Sequence, residues 1–373
     1  MADRLVQAEI NLANFSKNFL QVKKLVGKNV SIMAVVKANA YGHGAIAIAK
    51  KAVKLGASYL GVSCIFEAKE LRQAGISTPI LLLGYTDKES VASALDLDLT
   101  VNVMDREILQ EIITQTKKRK KRASVHVKID TGMHRIGVPI KEAVDFIQEI
   151  RKYKNVYLEG IYTHFAAADA RDLSFTKIQL EKFQSIISRL AKMGIKPPII
   201  HAANSAAVLF FPKSHLTMVR PGKILYGPLP TTLGNIKAPF IAKPLLTLKT
   251  IVSQIRVIKK GESVGYGREF VADSLTRVGA IPVGYADGFR RTPSFGEVLV
   301  RGKRAKLIGR VSMDQSSIDI TGIAEVKKGD EVIIIGKQGK EEITTEDVAK
   351  KLNTINYDVL TSISKRVTRV YRD

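Results

Sequence analysis

Ser31-Ile32-Met33-Ala34-Val35-Val36-Lys37-Ala38-Asn39-Ala40-Tyr41-Gly42-His43-Gly44 begins with a run that is apolar on both faces and ends on a lysine followed by small residues. A strand apolar on both faces is buried on both sides, as in a parallel sheet covered by helices. Gly44–Leu55 beyond it carries a helical pattern. The same texture repeats outward. Further strands are expected at Tyr59–Ser63, Pro79–Gly84, Leu97–Val103, Ser124–Asp130, Tyr157–His164, Ile199–Ala202 and Thr217–Pro221, with helices at Phe66–Ala74, Asp105–Lys117, Lys141–Tyr153 and Ser174–Met193. Eight β-then-α repeats suggest a TIM-type (β/α)8 barrel, whose chemistry gathers at the C-terminal ends of its strands. A doubly wound open sheet stays open on pattern alone.

The texture changes after about Gly234. Leu245–Lys259, Thr276–Tyr285, Glu297–Val311, Ser316–Ile320 and Glu331–Ile335 read as strands separated by Gly-containing turns, and Glu346–Leu352 as the one good late helix. The expected organisation is therefore an α/β barrel over residues 1–235 and a mainly β domain over 236–373, joined through Pro230–Lys243.

Composition narrows the class. The chain has 373 residues, 45% hydrophobic and 25% charged, as in ordinary globular enzymes. No apolar run approaches the ~18 residues that span a bilayer, and the alternating stretch Leu5 to Leu12 lacks the core of a secretory signal, so a cytoplasmic location is the expectation. The single Cys64 has no partner for a disulfide or a zinc site and reads as a packing residue; no metal is expected. Lys and Arg number 59 against 35 Asp and Glu, a net charge of +24, which invites a nucleic-acid reading. The densest basic run, Lys117 to Arg122, follows an amphipathic stretch; at a helix C-terminus it would face solvent and favour the dipole.

Lys37 sits where a barrel strand opens onto the active face, and a desolvated lysine there has its neutral amine available for covalent catalysis. The string AVVKANAYGHG around it, with KIDTGMHRIG at Lys128–Gly137, THFAAAD at Thr163–Asp169, HAANSAA at His201–Ala207, RPGKILYG at Arg220–Gly227, VGYGREF at Val264–Phe270 and VSMDQ at Val311–Gln315, resembles the bacterial alanine racemases. The resemblance implies a pyridoxal 5'-phosphate (PLP) barrel, a C-terminal β domain, a homodimer with shared active sites, and an N-terminal strand near Ala8–Leu12 packed with the C-terminal domain. It implies interconversion of L- and D-alanine, supplying D-alanine for peptidoglycan.

By that resemblance Lys37 attaches the cofactor and serves as one acid–base group, and Tyr266 from the partner subunit serves as the other. Inversion at carbon needs a proton removed from one face and returned on the other, so one base per face suffices. His164 is placed near the tyrosine and cofactor. Arg220 faces the pyridine nitrogen, keeping it largely unprotonated because an arginine holds its proton, and His201 orients Arg220. Tyr41, Asn204, Ser205, Gly222, Lys223 and Tyr357 surround the phosphate; read alone, Asn204 and Ser205 are helix caps. Lys223 departs from the apolar residue usual there, which a backbone donor tolerates. Arg135 and the Met313 amide would hold the substrate carboxylate, with Lys128 carried as a carbamate that positions Arg135. Tyr285 and Asp314 would line the entrance.

Three other readings compete. A barrel-type PLP decarboxylase shares the plan, but the Lys37/Tyr266 pair and HAANSAA favour racemisation. A barrel-only PLP-binding regulator would lack the C-terminal extension. A nucleic-acid-binding protein rests on charge alone, and weak, non-specific binding at physiological salt would dispose of it.

Overall fold

The structure, a computed structural model, describes residues 5–227 and 239–373. The expected domain boundary between residues 235 and 236, and most of the joining segment, lie outside the described residues. The chain divides into two units: one gathers Phe15–Ala40 and Ala45–Lys243, the other Met1–Asn14, Tyr41–Gly44 and Pro244–Asp373.

All eight expected strands of the first unit form, as Ser31–Val35, Tyr59–Val62, Ile80–Leu82, Val101–Val103, Ala123–Asp130, Val156–Tyr162, Ile199–His201 and Met218–Val219. Neighbours in sequence pair in parallel except the third and fourth, and the last pairs with the first. A single bridge, Leu81 to Thr100, joins the third strand to the fourth, so the open-sheet alternative gives way to a nearly closed barrel. Met33, Tyr59, Leu81, Tyr162 and Met218 form a buried cluster in this unit.

Several expected boundaries shift. The fourth strand begins at Val101 rather than Leu97, because Lys88–Asp96 is a helix that Leu97 caps and Asp98 follows at a φ of 49°. The sixth ends at Tyr162 and the eighth at Val219, which leaves His164 and Arg220 on the loops beyond. Helix Leu12–Val26 was not expected. Asn11 Oδ1 accepts from Asn14 N at 2.7 Å at its start, and Phe15, Phe19, Val22 and Val26 recur at helical spacing on its buried face, the two phenylalanines alone contributing roughly 1.5–3 kcal/mol each. The basic run does end a helix, Arg106–Arg119, whose C-cap Lys120 is left-handed; Arg119 and Lys121 pair with Asp96 and Asp98 and Arg122 lies over the Tyr157 ring. Cys64 is exposed at the start of helix Ile65–Gln73 and is not a packing residue.

The second unit is a sheet ordered Gln254–Ile258, Thr276–Ile281, Ser316–Asp319, Lys303–Ile308, Glu297–Val300, Glu331–Gln338, Leu246–Ile251, Gln7–Asn11 and Thr368–Arg372. The N-terminal strand thus pairs antiparallel with Leu246–Ile251 and parallel with Thr368–Arg372. Two expected strands are each two. Leu245–Lys259 breaks at Val252-Ser253, whose amides turn to Asp330 O and Ala280 O. Glu297–Val311 folds into a hairpin at Arg301-Gly302, both at positive φ, the backbone twist a two-residue hairpin favours. Thr276–Tyr285 ends at Ile281, and Tyr285 opens a 3-10 turn. Asn356–Ser362 is a second late helix.

Candidate active site

Lys37 follows the first barrel strand and begins a left-handed turn: Ala38, Asn39, Ala40 and Tyr41 all lie between 51° and 53° in φ. For L-residues that costs roughly 1–2 kcal/mol each, so the surroundings must hold it. Glu67 does so with both carboxylate oxygens, accepting from Ala38 N at 2.6 Å and Ser63 N at 2.7 Å. Asn39 Oδ1 accepts from Ala45 N at 2.8 Å, and Ala40 N closes the turn on Val36 O. Burial, then the Arg135 guanidinium, lowers the Lys37 amine against the raising effect of Glu67, which favours its neutral, nucleophilic form.

Arg220 is buried and makes four contacts. One guanidinium nitrogen meets His201 Nδ1 at 2.8 Å; the other reaches Thr163 O at 2.8 Å, Ala202 O at 3.0 Å and His164 Nδ1 at 3.2 Å. A guanidinium only donates, so both imidazole Nδ1 atoms accept and carry no proton. Burial and then the Arg220 charge hold His164 and His201 well below the usual histidine range, and both are neutral. Burial lowers Arg220 itself to about 10 while Tyr162 pushes back, and the guanidinium remains charged at neutral pH. The Tyr162 ring stacks on His201 at 4.7 Å and 11° and lies 5.2 Å from the guanidinium carbon.

Lys128 is buried on the fifth strand. Desolvation first, then Arg135, Arg220 and Lys37, bring its amine down to about 8, against Asp130. Asp130 Oδ1 accepts from the amides of Gly132, Met133 and His134 at 2.9 to 3.1 Å, shaping the loop that presents the exposed Arg135. Ser205 Oγ accepts from Gly222 N at 2.9 Å and Ile224 N at 3.5 Å, which brings Ser205 to the Gly222-Lys223 backbone; Lys223 is buried. Asn204 caps helix Ser205–Phe210 by accepting from Ala207 N at 3.1 Å, the bland role open to it from sequence.

In the second unit the rings of Tyr41 and Tyr357 meet at 5.7 Å. Tyr266 stands 67% exposed at the tip of the hairpin Ser263–Val264/Phe270–Val271. Gly265 and Gly267 beside it have φ of 73° and 74°, and a Cβ on Gly267 would meet the Arg310 guanidinium at 3.2 Å. Tyr285, Met313 and Asp314 are drawn together by backbone bonds from Tyr285 N to Ser312 O and from Ala286 N to Met313 O. Asp287, buried, accepts from Gly284 N at 3.0 Å and Arg366 Nε at 2.9 Å, and Arg366 also pairs with Asp314.

Two family models match in order: alanine racemase N-terminal domain over residues 10–230 and C-terminal domain over 245–371. The chain belongs to the alanine racemase family. An alanine racemase of Carboxydothermus hydrogenoformans is 44% identical over 99% of this chain and 100% of its own. The solved alanine racemase of Clostridium difficile 630 superposes with a TM-score of 0.96 at 39% identity, covering 100% of this chain and 97% of that one. A histidine racemase from Leuconostoc mesenteroides also superposes, at 0.92 and 29% identity over 100% and 99% of the two chains.

Alanine racemases are PLP-dependent isomerases, and the donor set fits that cofactor. After burial, Arg135, Arg220 and Lys37 lower Lys128, and Arg220, Lys128, Arg135 and Lys37 lower His164, a surplus of positive charge that an anionic ligand relieves. A lysine biased toward its neutral amine suits a carbonyl, and a buried guanidinium that only donates suits a basic ring nitrogen. Glu67, Asp130 and Tyr162 hold the Lys37 turn, the Arg135 loop and His201 in the barrel unit, and Asp287 and Arg366 hold the Tyr285 turn and Asp314 in the β unit; Asp130 lies inside KIDTGMHRIG, whereas the other four act across separations that no local pattern records.

Proposed function

We propose that this alanine racemase interconverts L- and D-alanine with PLP held by Lys37, Arg220 at its ring nitrogen, and Tyr41, Ser205, the Gly222-Lys223 backbone and Tyr357 about its phosphate. When bound, the cofactor supplies the electron sink that acidifies the substrate α-carbon. The protein supplies the rest. Lys37 moves a proton on one face and Tyr266 of a second copy on the other; Arg135 and the Met313 amide hold the carboxylate; and Arg220, unable to release a proton readily, limits the sink and so favours inversion over transamination. The carrying observation is that Lys37 follows the first barrel strand and the buried Arg220 follows the eighth, which pairs with it in parallel, so that both lie at the same end of the barrel. The exposure of Tyr266 and Met313 supports their service to a partner subunit, and hence a homodimer. The product would supply peptidoglycan synthesis in the cytoplasm; among the described residues no helix is long and apolar enough to cross a membrane.

Lys128 as a carbamate is part of this reading. A buried amine brought down to about 8 is available to carbon dioxide, and the anion formed would neutralise the surrounding positive field and turn toward Arg135. A carbon NMR signal from 13C-bicarbonate, lost in Lys128→Ala, tests it. The function is tested by incubating the purified protein with PLP and L-alanine, L-serine or L-histidine. Rapid D-alanine formation, with borohydride trapping the cofactor on Lys37, is expected; D-histidine without D-alanine would overturn the substrate assignment.

A further inference from the structure

Below Arg220 the barrel contains a polar chain that the reaction does not touch. His201 presents Nδ1 to Arg220 at 2.8 Å and Nε2 to His126 Nδ1 at 2.9 Å. His126 Nε2 faces Glu159 Oε2 at 3.6 Å, beyond hydrogen-bond reach and within ion-pair range. Glu159 Oε2 accepts from Tyr59 Oη at 2.7 Å and Thr100 Oγ1 at 3.2 Å. Both imidazoles are wholly buried, and His126 Nε2 has no hydrogen-bond partner.

One chemical fact sets the direction of every link. Arg220 cannot accept, so His201 Nδ1 is the acceptor and the neutral ring carries its proton on Nε2. That proton is donated to His126 Nδ1, which leaves the His126 proton on Nε2, aimed at the carboxylate. Donors therefore run from Arg220 through His201 and His126 toward Glu159, and the chain ends on a negative charge. Gly160 shows that the ring is built in: a Cβ there would lie 2.7 Å from two atoms of the His126 imidazole, closer than packing allows.

We propose that Glu159 is a positioning residue for racemisation: its carboxylate, held by Tyr59 and Thr100, faces the Nε2–H of His126 and so holds His126 and His201 in place behind Arg220, keeping the guanidinium aimed at the cofactor ring. The inference rests on the racemase reading for its catalytic consequence, while its tautomer prediction stands on the apoprotein alone.

The test is Glu159→Gln, which keeps the shape and removes the charge, with Glu159→Asp as the conservative rescue. In 15N-histidine-labelled protein without cofactor, the wild type is expected to show His126 and His201 both protonated on Nε2; in the glutamine variant the His126 Nε2 resonance shifts because the charge that it faces is gone. With PLP and alanine, kcat falls roughly tenfold with KM within about twofold, and the share of turnovers ending in pyruvate by transamination rises; aspartate restores part of both. An Nδ1-protonated His126 in the wild type overturns the proposal even where the glutamine variant does not fold, and so does a glutamine variant whose histidine spectrum and pyruvate share match the wild type. Predicted tautomers in a protein that makes no D-alanine would uphold the chain and sink the racemase reading instead.

Discussion

In the barrel unit, Arg220 gives its donors to two neutral imidazoles and two carbonyls, and Lys128 sits in the positive field of Arg135, Arg220 and Lys37. In the β unit, Arg366 is clasped between Asp287 and Asp314. Charge left unbalanced near a site is costly without a ligand and useful with one; charge paired in place fixes backbone. Substitutions in the first cluster should therefore cost activity and leave stability intact or improved, whereas those in the second should cost stability first.

The largest effect that can break this contrast is Lys37→Ala. Racemisation is expected to fall by at least ~10³-fold, as for loss of a covalent and acid–base group, while the melting temperature of the cofactor-free protein holds or rises because one crowded cation is gone. A destabilised apoprotein would show that Lys37 is paired after all. Tyr266→Phe comes next: exposed on its hairpin tip, it should leave the melting temperature unchanged, reduce turnover by about 10²-fold and alter α-proton exchange with solvent unequally for L- and D-alanine. Equal effects in both directions would remove its assignment to one face.

A pH titration sharpens the comparison at Lys128. Its folded-state value of about 8 lies below the ordinary lysine value near 10.5, so between the two the unfolded chain holds the extra proton and stability rises with pH. The rise should be on the order of 3 kcal/mol in bicarbonate-free buffer without cofactor, and absent in Lys128→Met. A flat profile in the wild type would mean that the amine is already compensated. In the β unit the counterpart is Asp287→Ala, which strands the Gly284 amide and one side of Arg366; about 2 kcal/mol of stability should go, measured by chemical denaturation. Loss of activity with unchanged stability would make Asp287 a site group rather than a backbone anchor.

These contrasts explain what could be read from the sequence. The barrel was legible because strands such as Ser31–Val35 are apolar on both faces and alternate with helices, and because the N-terminal alternation at Gln7–Asn11 needs a sheet to bury one side. Helix Leu12–Val26 is equally legible from the Asn11 cap and the spacing of Phe15, Phe19, Val22 and Val26, but the alternation from Leu5 to Leu12 runs directly into its first residue. Ala38 to Tyr41 could not be read: nothing in Ala-Asn-Ala-Tyr announces four left-handed residues, and Glu67, which holds them, lies 29 positions from Ala38. Tertiary partners overruled local preference there. The site residues came from motifs, whereas their electrostatics came from separations such as the 79 positions from Asp287 to Arg366.

The smallest effect concerns the turn that presents Tyr266. Arg310 and Glu269 pair there at 2.5 Å with both side chains 40% or more exposed, and such pairs contribute less than ~1 kcal/mol because water and salt screen them. Backbone geometry is the stronger constraint: Gly265, Gly267 and Arg268 all sit at positive φ, and the two short strands close the hairpin below them. Glu269→Gln should therefore lower stability by under ~1 kcal/mol and leave kcat within twofold. A tenfold loss of turnover at unchanged stability would show that this exposed pair, rather than the glycine-shaped backbone, aims the tyrosine, and the β unit would then use paired charge for catalysis as well as for anchoring.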